Sequence, residues 1–240
     1  MVVCGTPNSE EMQAPRSDTP PRALSNLAEV YWPLVEMRPG FPGAPLILIA
    51  PDWREREPPS GPAARLLQKH LGDAATILDV GAGDRYWGDV LRRLGISAQY
   101  RSADLDTRHE HEFGDFLSID ERVDAVLMLE LIEHLPAELG LRFIEHAIEL
   151  LNPGGMLVIG TPNAHHANWT WRTCFTHVRP WPMQDLWAIC TLGGLAPVEV
   201  YRQMLVSRRR RAVLPAQRLV SKLLGLDVAQ GIVVFARKPL

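Results

Sequence analysis

Ile77-Leu78-Asp79-Val80-Gly81-Ala82-Gly83 is the stretch that decides the fold of this chain. Its apolar start has the length of one buried parallel strand, and it ends directly in two glycines spaced i, i+2. A strand can turn this tightly and leave its backbone open to a ligand only where the turn lacks side chains. A helical segment, a second strand-like run and an acidic pair, Asp104 and Asp106, follow in that order. Strand, glycine turn, helix, strand and acid together describe a cradle for a nucleotide-type cofactor.

Outward from this stretch, the pattern predicts a helix over 62–71 and a strand over 76–80. A helix ending at Gly95, strands over 98–105 and 123–129, and a helix over 138–151 come next. After the Pro153-Gly154-Gly155 turn come a strand over 156–160, a helix over 183–193 and strands over 197–204 and 231–236. Strands and helices alternating at these lengths predict an α/β fold built on a parallel sheet. The two late strands predict a hairpin closing one edge. Residues 1–22, rich in Pro, Ser, Thr and charge, bury too little apolar surface to order and are expected to form a disordered tail. Residues 23–61 carry seven prolines and read as an N-terminal cap over a main domain spanning 62–240. Within the cap, Leu46-Ile47-Leu48-Ile49 reads as a short strand or a packed lid segment.

A hydrophobic content of 46%, a charged content of 22% and a net charge of −3 suit a soluble globular protein. They also argue against a molecule built as a whole to hold nucleic acid. Cys4, Cys174 and Cys190 stand far apart with no CxxC pair, so neither a disulfide framework nor a zinc site is expected. No apolar run reaches membrane-spanning length, and the N-terminus lacks the pattern of a secretory signal. A cytoplasmic protein is the expectation.

The glycine turn alone does not choose the cofactor. A dinucleotide fingerprint wants G-x-G-x-x-G, and Tyr86 stands where its third glycine belongs. The choice comes from the ordered set of Ile77–Gly83, Tyr100–Asp104, Gly114-Asp115-Phe116-Leu117, Glu130-Leu-Ile-Glu133-His134-Leu-Pro136, Leu150-Leu-Asn-Pro-Gly-Gly155 and Leu157–Asn163. Over roughly residues 62–239 this closely resembles the class I S-adenosylmethionine-dependent methyltransferases. The likeness is strongest to the small-molecule branch that includes ubiquinone-pathway O-methyltransferases. The resemblance implies a Rossmann-like seven-stranded, mostly parallel sheet with helices on both faces and a C-terminal antiparallel hairpin.

It also implies S-adenosylmethionine as cofactor and a set of residues around it. Asp79, Gly81, Ala82 and Gly83 would form the loop beside its methionine part, and Asp104, with Leu105 beside it, would take the ribose hydroxyls. Asp115 and Phe116 would meet the adenine, the ring packing on its face. Leu129 and Glu130 would line the methionine side. Arg85 stands where the family has the third glycine of its GxGxG, and would face a substrate carboxylate, a phosphate or solvent.

Methyl transfer is an in-line displacement in which orientation supplies about 7–11 kcal/mol, so no conspicuous triad is required. Candidate bases for a hydroxyl acceptor are His134, His165, His166 and His177. His134 belongs to the Glu130-x-x-Glu133-His134 spacing, which in related ubiquinone-pathway enzymes can hold a divalent cation; no metal ligand is assigned here. The same residues equally suit a helix start, where they satisfy free amides. Trp169, Trp171, Phe175, Trp181 and Trp187 read either as a wall over the acceptor or as a local core.

Residues 200–226 hold seven basic residues and no acid, including the run Arg208–Arg211. They read as a solvated loop and docked helix, or as a site for an acidic partner or a membrane surface. The acceptor expected is a small molecule or a glycan. An RNA or protein methyltransferase using the arginine run, and a cofactor-binding scaffold without chemistry, are the alternatives.

Overall fold

The computed structural model describes Leu24 and residues 26–167 and 170–240, so the tail expected over 1–22 lies outside the described residues. In chain order the elements are α1 (Leu27–Met37), β1 (Leu46–Ile49), α2 (Pro62–Leu71), β2 (Thr76–Val80), α3 (Tyr86–Arg93) and β3 (Gln99–Ala103). They continue with β4 (Val123–Leu129), α4 (Ala137–Leu150), β5 (Leu151–Pro162), α5 (Met183–Leu192), β6 (Val198–Leu205), α6 (Leu214–Leu224) and β7 (Gly231–Arg237). The seven strands form a single sheet in the order β1-β6-β7-β5-β4-β2-β3. Only β7 is reversed, running antiparallel to both β5 and β6.

Alternation along the central strands places two apolar layers on opposite faces. Leu78, Val126, Met128, Leu157 and Ile159 pack with Leu141, Ile144, Leu186 and Ile189 of α4 and α5. Ile77, Ala125, Leu127 and Val158 pack with Leu67 and Leu71 of α2 and Val90 and Leu91 of α3. Both faces of β4 are therefore buried, which is why Val123–Leu129 reads as a continuous apolar run. The Asn152 of the LNPGG segment has a structural task. Its Nδ2 donates to Asp124 Oδ1 at 2.8 Å, and Asp124 Oδ2 accepts from the Thr76 N–H at 2.9 Å, so the starts of β2, β4 and β5 are tied together.

The seventh strand comes from an unexpected place. Between β3 and β4 only an isolated bridge, Ala103 to Phe113, extends the sheet, with no strand among the described residues there. The count is completed at the opposite edge by Leu46–Ile49, which pairs in parallel with β6 from Leu46–Arg202 to Ile49–Leu205. The segment read as a cap thus contributes to the sheet itself.

Gly140 of α4 marks the tightest helix contact. A Cβ there would lie 2.5 Å from Cζ2 of Trp181, a fully buried ring held by its Nε1 donating to the Ile132 carbonyl at 2.8 Å. Gly140→Ala is expected to lower unfolding stability by about 1–3 kcal/mol, because overpacking outweighs the helix-propensity gain. Urea unfolding of the variant checks this.

The chain leaves β2 toward β3 on one side, and β4 lies on the other. This reversal of direction makes the crevice at the carboxyl ends of β2 and β4 the expected ligand position.

Candidate active site

Two turns bound that crevice, and both are held in unusual conformations. After β2, Gly81 and Gly83 adopt φ of 71° and 53°. The Gly81 N–H donates to the Ala103 carbonyl at 2.8 Å, which folds the turn against β3. A Cβ on Gly81 would meet Leu131 at 2.7 Å, whereas the space beside Gly83 is open. After β4, Glu130 sits at φ 57°, a strained backbone for a residue with a side chain, while its N–H still donates to the Gly160 carbonyl at 2.8 Å.

The cofactor-side residues divide into those that line the crevice and those that support it. Asp104 lines it: Oδ2 accepts from the Gly83 N–H and Oδ1 from the Asp106 N–H, each at 2.8 Å. Each oxygen keeps a further acceptor position, so the carboxylate fits a pair of ribose hydroxyls without giving up its hold on the loop. Leu105, beside it, is 82% exposed and offers a bare apolar surface. Asp115 is exposed, with Oδ1 accepting from the Leu117 N–H at 3.0 Å. Leu129 and Glu130 lie on the β4 side. These donors, acceptors and open space fit S-adenosylmethionine.

Packing draws three of the expected residues away from the open crevice. Phe116 is buried in the core against Phe143, with ring centroids 5.0 Å apart. Asp79 is enclosed beneath the loop and accepts from the Tyr100 hydroxyl at 2.6 Å, which braces the turn. Burial pushes its carboxyl up to about 7. Ala82 is likewise buried. Arg85 takes the left-handed conformation that the missing glycine would have adopted, φ 63°. Its guanidinium bonds the Glu110 carbonyl at 2.8 Å and Glu112 at 2.9 Å, which leaves it tied to the chain's own groups.

Among the candidate bases, His134 and His177 come together. Their rings lie edge to face at 4.8 Å, although the two residues stand 43 positions apart in sequence. His134 Nδ1 lies 3.1 Å from the Thr176 carbonyl, and His177 Nδ1 lies 2.6 Å from the Trp171 carbonyl. A carbonyl only accepts, so each Nδ1 is the donor, and in the neutral ring Nε2 is the atom left to accept. Backbone bonds from Val178 and Arg179 to the Glu133 carbonyl hold the two loops together.

Glu133, buried at 1% exposure, accepts from the Thr161 hydroxyl at 3.0 Å through Oε2. Its Oε1 has no hydrogen-bond partner among the described residues. Enclosure by protein, and then the adjacent Glu133 carboxylate, hold Glu130 well above the usual carboxylate range; burial raises Glu133 as well. Ligand atoms of Glu133, His134 and His177 lie within 4.8 Å of one another. Two lone-pair imidazoles facing a buried, unsatisfied carboxylate oxygen fit a divalent cation, with the Nδ1–H bonds fixing ring orientation.

His165 and His166 are not part of this cluster. His165 Nε2 pairs with Gln184 Oε1 at 3.1 Å beside Arg202 and Asp227, and His166 is buried where its chain bridges Asp227. The tryptophans also separate. Trp181 is core, Trp187 packs on Phe41 at 5.8 Å, Trp171 holds His177, and Trp169 lies outside the described residues.

Sequence reading missed Trp53, Arg54 and Trp87, which wall a cavity of about 480 Å³ opening beside Glu130 and His177. The Arg54 guanidinium lies 5.3 Å from both the Tyr86 and Trp87 rings. One wall of the cavity is apolar, made by Ile49, Leu66, Val233 and Phe235, while Thr173, Gln203 and Gln230 add polar groups to its lining. No motif signals these residues; only the edge position of β1 brings 49–54 over the sheet.

Residues 53–200 match a family described as "Methyltransferase domain". A ubiquinone biosynthesis O-methyltransferase of Azorhizobium caulinodans is 31% identical over 103 residues, covering 36% of this chain and 40% of that protein. The match therefore spans less than half the length of this curated relative. A SAM dependent methyltransferase from Archaeoglobus fulgidus has a similar fold, with TM-score 0.60 and 16% identity over 73% of this chain and 93% of that one. The cyclase SpnF also shares the fold, with TM-score 0.52 and 16% identity over 92% of this chain and 97% of that one.

Proposed function

Because the chain belongs to the class I S-adenosylmethionine-dependent methyltransferase family, we propose that it methylates a hydroxyl oxygen of a small, largely apolar acceptor. The observation that carries this reading is the Glu130–Glu133 pair with two imidazole lone pairs at the mouth of an apolar cavity. The oxygen acceptor of the ubiquinone biosynthesis relatives supports it. The apolar cavity wall favours an aromatic or lipid-like body over a glycan.

Bound S-adenosylmethionine supplies an electrophilic methyl on a sulfonium. Asp104 and the Gly81–Gly83 turn fix its ribose and loop side. The cavity orients the acceptor body and excludes water. Glu130, kept basic by its enclosure, or the Nε2 of His177 takes the acceptor proton as the oxygen–methyl bond forms and the methyl–sulfur bond breaks. His134 braces His177 edge-on. A second reading rests on the convergence of Glu133, His134 and His177: a divalent cation held there would lower the pKa of a bound hydroxyl.

Glu130→Gln is expected to cut turnover by about 100-fold, at the lower end of general-base contributions. In the wild type, a raised carboxyl pKa means that the basic form accumulates only as pH climbs into the neutral range, so activity rises there. The variant should lose that rise. Release of S-adenosylhomocysteine, measured with phenols, catechols and amines from pH 5 to 9, checks both. Methylation of amines alone would overturn the oxygen assignment, and full activity after chelation would remove the cation reading.

A further inference from the structure

The insertion between β6 and β7 plays no part in this chemistry, and its helix is packed inside out. After Leu205 the chain forms a short 3₁₀ segment, Arg208–Val213, then α6, and rejoins the sheet at Gly231. The side of α6 that meets the protein carries Leu214 and Ser221, seven residues apart and both buried, with Leu214 against Met204 and Val206. The outward side carries Leu219, Val220, Leu223 and Leu224, between 53% and 76% exposed. Their i, i+1, i+4, i+5 spacing makes one continuous apolar stripe along the helix. Val213 at 58% and Leu226 at 47% extend it at either end.

A stripe of this kind in water marks an interaction surface. Charge selects its occupant. Residues 200–226 hold Arg202, Arg208–Arg211, Arg218 and Lys222 and no acid, in a chain whose net charge is −3. A second copy of this chain would bring two such basic segments together, and a nucleic acid would leave the leucines in water. An anionic lipid surface satisfies both features at once, taking the apolar stripe below its headgroups and attracting the cations.

We propose that α6 and the arginine segment before it dock the protein reversibly on an anionic membrane surface. The insertion leaves and rejoins the sheet at Leu205 and Gly231, which also line the 480 Å³ cavity. Docking therefore sets the cavity rim against the bilayer, where an apolar acceptor can enter without crossing water. The docking surface stands apart from the acceptor reading, and either can fail without the other.

The test is co-sedimentation of the full chain with vesicles of phosphatidylcholine alone and of phosphatidylcholine mixed with phosphatidylglycerol. Binding is expected to the anionic vesicles only, weakening as salt rises. The double variant L223D/L224D should lower that binding at least about 30-fold, since two leucines no longer enter the lipid. Its circular dichroism and S-adenosylmethionine affinity should stay unchanged, because both positions are exposed and neither lines the cavity. Absence of binding to either vesicle overturns the proposal. So does vesicle binding indifferent to L223D/L224D, a concentration-dependent dimer that the double variant dissolves, or retention of RNA without retention of vesicles.

Discussion

Asp104→Ala is expected to weaken binding of S-adenosylmethionine by about 10²–10⁴-fold. The carboxylate stands at the carboxyl end of β3, between two backbone donors that fix its plane. Its remaining acceptor positions face the crevice, where two ribose hydroxyls would each donate a bond to a charged group. Bonds of that kind contribute about 1.5–3 kcal/mol apiece, so two of them correspond to the stated range. Alanine also frees the Gly83 N–H, which loosens the turn on which the methionine part would lie. Asp104→Asn separates the two effects: the amide keeps one acceptor and should lose roughly 10–100-fold. Calorimetry with S-adenosylmethionine and S-adenosylhomocysteine on all three proteins, with thermal unfolding as the control for folding, decides the matter. An unchanged dissociation constant in the alanine variant would place the ribose elsewhere.

Much of the fold is legible because its signals are local. Val123–Leu129 is apolar at every position but one because both of its faces are covered, and Gly81 is required by a turn whose φ and contact with Leu131 admit no side chain. What escapes reading is pairing at long range. Leu46–Ile49 is flanked by prolines and looks isolated, yet its partner is β6, more than 150 residues later, joined also by the Arg202 N–H bond to the Pro45 carbonyl. A short apolar run carries no record of which edge it completes. That edge in turn places Trp53 and Arg54 over the cavity, so the acceptor wall was hidden for the same reason.

The site was legible in part, along the same lines. His134 and His177 are each visible as candidates, but their meeting depends on Val178 and Arg179 donating to the Glu133 carbonyl. Adjacent His165 and His166 face other groups because the chain turns between them and bridges Asp227. Phe116 follows the expected acid, yet the short 3₁₀ turn capped by Asp115 points its ring inward to Phe143. A motif fixes the order of residue types; the turn geometry decides which of them the ligand meets. The fold alone leaves the reaction open, since a cyclase shares it.

Asp79→Asn is expected to stabilise the protein above neutral pH. Burial raises the Asp79 carboxyl to about 7 from its ordinary 3.8, against the opposing bond from Tyr100 and with Asp104 adding to the rise. The folded chain therefore holds a proton on Asp79 that the unfolded chain has released, between about pH 4 and pH 7. Stability must fall as pH rises through that window, and the full cost is present once pH exceeds the folded value. A shift of this size corresponds to at most about 4 kcal/mol. Asparagine is neutral throughout and its Oδ1 still accepts from the Tyr100 hydroxyl, so the variant lacks the slope. Urea unfolding from pH 4 to 8 should show the two proteins converging at the acid end, with the variant ahead by up to about 4 kcal/mol at the alkaline end. A variant less stable than wild type at pH 8 would mean that the charged carboxylate is the form the fold prefers. Asp79 would then hold the glycine turn by accepting a charge-assisted hydrogen bond from the Tyr100 hydroxyl, and the electrostatics assigned to this corner of the crevice would reverse.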